Sequence, residues 1–388
     1  MLYMVAPFES ENICKDISSR NIEIMKKYDG ESIMVMSDFD HRYKLRHRKT
    51  DIKSRLDSWK VNCHIFSGIK YNKNISLKRV LSNFVFSFNC FIYLLKNVKD
   101  NDKVYINSIP PEVLFFISLL KKIRKIEVIV DVRDIWPDAL VNSSSGLTVR
   151  LFKLYCNIIY KLSIGCVDKC VYVAPSFLNW ISSKSVNISP QFLPLGFDEA
   201  RWSMKKLQAK GDDDVIKLDS NIINVVYVGY LSQQFDLSPV IEAFNKLDDN
   251  FCLHVIGGGE NLDYYKSLSN KNTIFYGMKS PQFVSSNLYK FDIGVLPLRE
   301  GAASLLPNKF FDYVAAKLPI VSFGSPDVAS ILSEENIGYS VSGNSSDLYN
   351  FFNNIDMEDV DLKKKNINNS RKKYSMQEVY ANLASYIN

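Results

Sequence analysis

Two short stretches carry residues whose types and spacing suit chemistry. The first is Pro307-Asn308-Lys309-Phe310-Phe311-Asp312. Pro307 and Asn308 open a helix there, and Asn is a good N-cap. Lys309 and Asp312 lie one turn apart and share a face, while Phe310, Phe311 and Val314 point to a core. A helix N-terminus beside a lysine suits a diphosphate. A carboxylate one turn later suits a ribose diol, because it can accept two hydroxyl hydrogen bonds. The same spacing also describes an exposed ion pair on an ordinary helix. Arg299, in the polar loop just before, could meet an acidic sugar or a diphosphate, or be a solvated loop arginine.

The second stretch is Asp131-Val132-Arg133-Asp134-Ile135-Trp136-Pro137-Asp138. It follows the apolar strand Glu127–Asp131, so its charges fall at the carboxyl edge of a parallel sheet, where open α/β folds bind ligands. A carboxylate in that place can act as a general base toward a hydroxyl. Asp134 is the first candidate for the base and Asp138 the second, with Asp131 read as structural. The competing reading is a loop network in which Arg133 pairs with one of the aspartates.

The elements that must position these stretches alternate between short apolar strands and amphipathic helices, the pattern of parallel sheets covered on both faces. Leu2–Ala6, Ser32–Met36, Asn62–Phe66, Lys103–Ile106 and Asp168–Ala174 read as strands in the first half. Ile13–Tyr28 reads as one helix carrying Arg20, and Ser76 caps a long helix that runs through Lys96. In the second half the strand Ile222–Val228 runs into Gly229-Tyr230, and Phe251–Ile256 runs into Gly257-Gly258-Gly259. Glycine after a strand allows close backbone approach to a ligand, and amides there can meet phosphate or base. Thr273–Tyr276 is a further strand, with Asp292–Leu296 leading back to the Lys309 helix.

The chain has 388 residues, 46% of them hydrophobic and 13% aromatic, which fits two folded domains and excludes a disordered chain. The seven cysteines are scattered without a Cys-x-x-Cys spacing, as expected of reduced thiols in a cytosolic protein. The opening residues lack a basic region and a cleavage site, so no signal peptide is expected. The run Val80–Leu95 is broken by Ser82, Asn83, Ser87 and Asn89. It is too short and polar to span a bilayer, and reads as a core helix or one lying on a membrane. Of the net charge of +6, residues 1–200 carry +9 and the remainder −3. The excess gathers between Arg42 and Arg79 with no nucleic-acid motif beside it. Anionic lipid headgroups or a lipid-pyrophosphate acceptor are therefore favoured over nucleic acid, with a solvated loop as the alternative. Asp38-Phe39-Asp40 is read as loop chemistry, and no metal site is expected.

The apolar strand, loop and Pro-Asn-Lys-x-x-Asp-Tyr-x-Ala-x-x-x-Pro-Ile-Val pattern resembles the donor-site helix of two-domain GT-B glycosyltransferases. It is most similar to bacterial enzymes of capsule, O-antigen and exopolysaccharide synthesis, including the xanthan-type glucuronosyltransferases. The strand followed by Asp-x-Trp-Pro and the turn Pro194-Leu195-Gly196-Phe197-Asp198 resemble the same family's active-site loop and hinge. The resemblance implies an α/β fold of two Rossmann-like domains facing each other across a cleft. It implies an acceptor domain over 1–198, a linker over 199–220, a nucleotide-sugar domain over 221–372, and a helix over 373–388 that crosses back. It gives Lys309 the donor diphosphate and Asp312 the ribose. It sets Gly229, Tyr230, the glycine run, Tyr276, Arg299 and Asn308 around the donor, and Arg20, Arg133 and Trp136 near the acceptor. The implied activity is transfer from a nucleotide sugar, most simply a UDP-sugar, to a lipid-linked or oligosaccharide acceptor. The enzyme would need no cofactor and would sit at the cytoplasmic face of the inner membrane. A related epimerase and a non-catalytic scaffold are the alternatives. Many relatives carry a Glu-x7-Glu pair, for which Glu300 falls too early, so inversion is expected.

Overall fold

The structure is a computed structural model that describes residues 1–15, 17–73, 76–137, 146–184, 188–202, 215–302 and 306–388. The chain forms two compact units. The first comprises Met1–Pro194 with Tyr380–Asn388, and the second comprises Leu195–Val379.

In the first unit the strands are β1 (Leu2–Val5), β2 (Ser32–Ser37), β3 (Phe39–Asp40), β4 (Leu45–Arg46), β5 (Cys63–Phe66), β6 (Lys103–Asn107), β7 (Glu127–Val132), β8 (Lys169–Tyr172) and β9 (Gln191–Phe192). Seven of them form one parallel sheet in the order β5-β2-β1-β6-β7-β8-β9, and β3 pairs with β4 as a small hairpin. The helices are α1 (Ser10–Cys14), α2 (Arg20–Lys27), α3 (Lys49–Ser58), α4 (Leu77–Asn97), α5 (Pro111–Lys121), α6 (Leu147–Ser163) and α7 (Phe177–Ser183). The central strands are buried on both faces: Leu2, Met4, Val104, Ile106, Val128 and Ile129 have no exposed surface. This is why they read as apolar runs and not as alternating strands.

Two expectations are corrected here. Ile13–Tyr28 is not one helix. Ser19 is extended and caps α2 by accepting from the Ile22 N–H, because a serine hydroxyl satisfies a free first-turn amide better than it serves a helix interior. The basic segment after β2 is not a plain solvated loop either, since it folds into the β3–β4 hairpin and α3. Asp38 and Asp40 hold that hairpin. Asp38 takes a two-pronged contact from Arg46 and the Gly68 N–H, and Asp40 accepts from the Arg42 and Tyr43 amides.

The second unit contains β10 (Ile223–Val228), β11 (Phe251–Ile256), β12 (Thr273–Gly277), β13 (Ile293–Pro297), β14 (Ile320–Phe323) and β15 (Gly338–Ser340) in one parallel sheet ordered β12-β11-β10-β13-β14-β15. Its helices are α8 (Ser238–Phe244), α9 (Leu262–Leu268), α10 (Pro281–Asn287), α11 (Asn308–Ala316), α12 (Pro326–Glu335), α13 (Ser345–Asn353) and α14 (Met357–Ser370). The last helix, α15 (Met376–Ile387), begins in the second unit and ends in the first. The turn after Pro194 is tied down within the second unit. Phe197 exchanges backbone hydrogen bonds with Tyr374 and Met376, and Gly196 adopts φ +78° where a side chain would strike the Tyr374 carbonyl.

Candidate functional site

The strand order of the second sheet reverses its direction at β10, whose neighbours are β11 and β13. The loops at the carboxyl ends of these strands are therefore the expected ligand-binding edge. Three loops meet there, after β10, after β11 and before α11. Tyr313 ties α11 to this edge. Its hydroxyl donates to the Val295 carbonyl at 2.9 Å and accepts from the Val228 N–H at 3.1 Å, so one phenol joins the ends of two strands. Gly294 makes room for that ring, since a Cβ there would lie 2.8 Å from it.

Lys309 is buried at the first turn of α11, with 8% of its surface exposed. Its Nζ lies 3.1 Å from the centre of the Phe235 ring and 4.7 Å from that of Tyr227. Among the described residues no carboxylate is within ion-pairing distance of it. Burial pulls the ammonium down to about 7, against the raising influence of Asp312. Gly229, at φ +131°, is what admits the lysine, because a Cβ there would come within 2.2 Å of Lys309 Cε. Asp312 sits one turn on, partly exposed. Burial pushes its carboxyl up to about 6, while Arg201, 3.5 Å away, and Lys309 oppose the shift. The Lys309–Asp312 pair is therefore not an exposed ion pair. It is a cation held against aromatic faces with a carboxylate beside it, an arrangement open to an anion.

The glycines serve first to bring backbone against backbone. The Gly229 N–H donates to Ile256 O and the Leu231 N–H to Gly258 O, both at 2.9 Å. A Cβ on Gly257 would overlap the Gly229 carbonyl, and one on Gly259 would press on that of Leu231. The Gly229 amide is thus occupied within the protein. Tyr230 is largely exposed, and its carbonyl accepts from the Tyr227 hydroxyl. Asn308 also departs from expectation: Pro307 holds the cap position without a side-chain cap bond, and Asn308 is the first helical residue, exposed. Arg299 is half exposed and reaches Asp236 at 3.4 Å.

Tyr276 stacks on His254, its hydroxyl 2.9 Å from Nδ1, and His254 Nε2 is 3.0 Å from Asn224 Oδ1. Burial pulls His254 down to about 4. The neutral ring then donates from Nε2 to the amide oxygen and accepts from the phenol, which fixes the Tyr276 ring. The parts played by His254 and Tyr313 were not legible in the sequence, because they depend on partners in other strands.

In the first unit Asp131 is fully buried. Its Oδ2 accepts from Arg133 Nε at 2.7 Å, Arg20 Nε at 3.0 Å and the Tyr105 hydroxyl at 2.6 Å. Burial alone would raise its pKa, but Arg133 and Arg20 beside it hold it below the ordinary value. Arg20 also donates to the Pro194 and Leu193 carbonyls. With its side chain only 3% exposed, Arg20 is not a surface arginine. Arg133 continues the network to Asn21 and thence to Glu9. Several buried atoms at this edge have no partner among the described residues: Glu9 Oε2, Ser10 Oγ, Asn107 Oδ1 and Asp131 Oδ1.

Asp134 follows on the same loop and is partly exposed. Burial raises its carboxyl above the ordinary range, while the Ile135 N–H, Arg79 and the Trp136 indole pull the other way. Trp136 is packed between the Arg79 guanidinium, 4.3 Å from the ring centre, and Phe152 at 5.6 Å. It is therefore a support for Asp134 more than an open sugar platform. Asp138 lies outside the described residues. Among the described residues no group of three or more His, Cys, Asp or Glu is placed to hold a metal ion, and no helix is long and apolar enough to cross a membrane.

The family described as Glycosyl transferases group 1 matches residues 223–354, most of the second unit. Among curated proteins no sequence matches this chain significantly. The architecture is that of GT-B glycosyltransferases. The crystal structure of Anabaena Alr3699/HepE in complex with UDP matches with a TM-score of 0.63 at 13% identity, covering 100% of this chain and 98% of that one. A glycosyltransferase from Rickettsia africae matches at 0.64 and 15%, covering 100% and 97%. The lipopolysaccharide outer core galactosyltransferase WaaB matches at 0.62 and 12%, covering 99% and 98%.

Proposed function

We propose that this chain, whose second unit carries a glycosyl transferases group 1 domain, transfers a sugar from a nucleotide diphosphate donor to an acceptor hydroxyl. The observation that carries the reading is Lys309, a buried cation at a helix N-terminus with no carboxylate pair among the described residues. Such a group is costly to bury unless an anion completes it, and a donor diphosphate does so. Asp312 takes the ribose hydroxyls, and Tyr276, fixed by His254, lies toward the base. UDP is the favoured nucleotide, supported by the UDP complex of the Anabaena protein.

As the bond from the anomeric carbon to the diphosphate oxygen breaks, negative charge grows on the leaving group, and Lys309 with the α11 dipole stabilises it. Asp134, with its raised pKa, takes the proton of the acceptor hydroxyl as that oxygen bonds to the anomeric carbon. One displacement of this kind inverts the configuration. Arg133 and the unpartnered atoms at the same sheet edge are the acceptor-side candidates. The acceptor is a lipid-linked or oligosaccharide hydroxyl in surface polysaccharide synthesis, reached at the cytoplasmic face of the inner membrane by the basic first unit.

The test is thermal unfolding with a panel of nucleotides and UDP-sugars, run on the protein and on Lys309→Ala. A ligand that binds only the folded state raises the midpoint. A rise with UDP and one UDP-sugar, lost in the variant, is expected. No rise with any nucleotide overturns the proposal.

A further inference from the structure

Two helices on one face of the first sheet carry apolar residues on their outer sides as well as their inner ones. In α4 the buried face holds polar Arg79, Ser82, Asn83 and Ser87 beside Phe86, Cys90 and Leu94, while Leu77, Leu81, Phe84 and Phe88 are exposed, Leu77 at 88%. The four apolar residues recur at helical spacing and form one stripe. α6 repeats the pattern with Leu147, Leu151, Leu154, Ile158 and Leu162, all at least half exposed. The steps β5 to β6, β6 to β7 and β7 to β8 run in one direction across the sheet, so right-handed crossovers set α4, α5 and α6 side by side on the same face. α5 packs between these two helices: Phe116 meets Phe84 at 5.3 Å and Phe88 at 5.8 Å, and Glu112 accepts from Tyr155 of α6. Soluble surfaces scatter their exposed apolar residues, and two such stripes on helices flanking the same neighbour mark an interaction face.

The charges indicate the partner. Neither α4 nor α6 contains an Asp or a Glu, and exposed Lys78, Arg150 and Lys161 stand beside the leucines. A second copy of the chain would set these cations against each other. An anionic bilayer takes the apolar stripe into its acyl boundary and the cations into its headgroups.

We propose that the outer face of α4, α5 and α6 docks on, and partly inserts into, an anionic bilayer. The basic α3 is not the anchor, since β2 to β5 steps the opposite way and puts α3 on the other face of the sheet. The inner sides of the same helices hold the candidate base: Arg79 of α4 and Phe152 of α6 clasp Trp136. Docking therefore presents the Asp134 loop to an acceptor anchored in that membrane, a consequence that rests on the function proposed above.

The experiment is flotation of the full chain with vesicles of phosphatidylglycerol and phosphatidylethanolamine, against vesicles of phosphatidylcholine alone. It compares the protein, Leu81→Ser/Phe84→Ser, Leu151→Ser/Leu154→Ser, and a control, Lys49→Ser/Lys53→Ser/Arg55→Ser. Sedimentation velocity gives the oligomeric state of each. The expected result is binding to anionic vesicles that falls at least tenfold in both apolar variants, changes less than twofold in the α3 control, and partly survives high salt. Circular dichroism melting of the variants shows that they remain folded, independently of nucleotide binding, so failure here is separable from failure of the donor reading. Loss of binding confined to the α3 control, undiminished binding by both apolar variants, or a vesicle-indifferent dimer that these variants dissociate would each overturn the proposal.

Discussion

Lys309 and Asp312 have been moved toward each other on the pH scale by the same burial, the lysine down to about 7 and the carboxyl up to about 6. A donor needs the ammonium and the carboxylate together. Affinity for a UDP-sugar, whose diphosphate does not titrate near neutrality, should therefore rise with pH through about 6 as Asp312 ionises and fall through about 7 as Lys309 loses its proton. Calorimetric titration across that range checks this. In Lys309→Arg the guanidinium stays charged, so the alkaline limb should flatten while the acid limb remains. For Asp134 the expected signature is separation of chemistry from binding. Asp134→Asn keeps the oxygen that accepts from Trp136 but cannot take a proton. Turnover should fall at least 10²-fold with the UDP dissociation constant unchanged. Normal turnover would remove Asp134 as the base. All three were legible in the sequence as candidates, because a lysine and carboxylate one turn apart, or an aspartate just past a strand, are local patterns.

The elements owe their placement to side chains that reach across the chain. Asp131 gathers Arg20, 111 residues away, and Tyr105 onto one oxygen, and Arg20 in turn fastens the carbonyls that follow β9. Removing one partner of a buried pair leaves the other charge uncompensated. Arg20→Met should destabilise the first unit by about 3–5 kcal/mol, seen as a lower urea midpoint, whereas a surface arginine would cost well under 1 kcal/mol. The sequence suggested a surface or acceptor arginine, since nothing near Arg20 in the chain shows its partner. The long helix expected over Ile13–Tyr28 failed for a related reason: apolar periodicity runs across the break, and only Ser19 turning its hydroxyl back onto α2 shows that a new helix starts there.

At the scale of the whole molecule each unit has its own parallel sheet and core, so each has the means to unfold as a unit. Calorimetry should resolve two transitions, and a UDP-sugar should raise the one belonging to the second unit by mass action, with no such rise in Lys309→Ala. A single transition shifted as a whole would show instead that the units unfold together. The charge asymmetry read from composition belongs to this scale as well, and the fold divides it: basic residues of α3 lie on one face of the first sheet, and the apolar layer with its own few cations on the other.

By itself the sequence determined the α/β class, most strands to within a residue or two, and the Lys309 and Asp134 stretches, because strand burial, helix periodicity and turn chemistry all act between near neighbours. The tertiary structure decided what those neighbours could not. It buried Lys309 over Phe235 and Tyr227, and it spent the glycines on loop-to-loop contact before any ligand. It neutralised His254 to steady Tyr276, and it left an apolar stripe of α4 facing outward. Each of these depends on what another strand or helix brings within a few ångströms, and that proximity is set by the order of strands in the sheets.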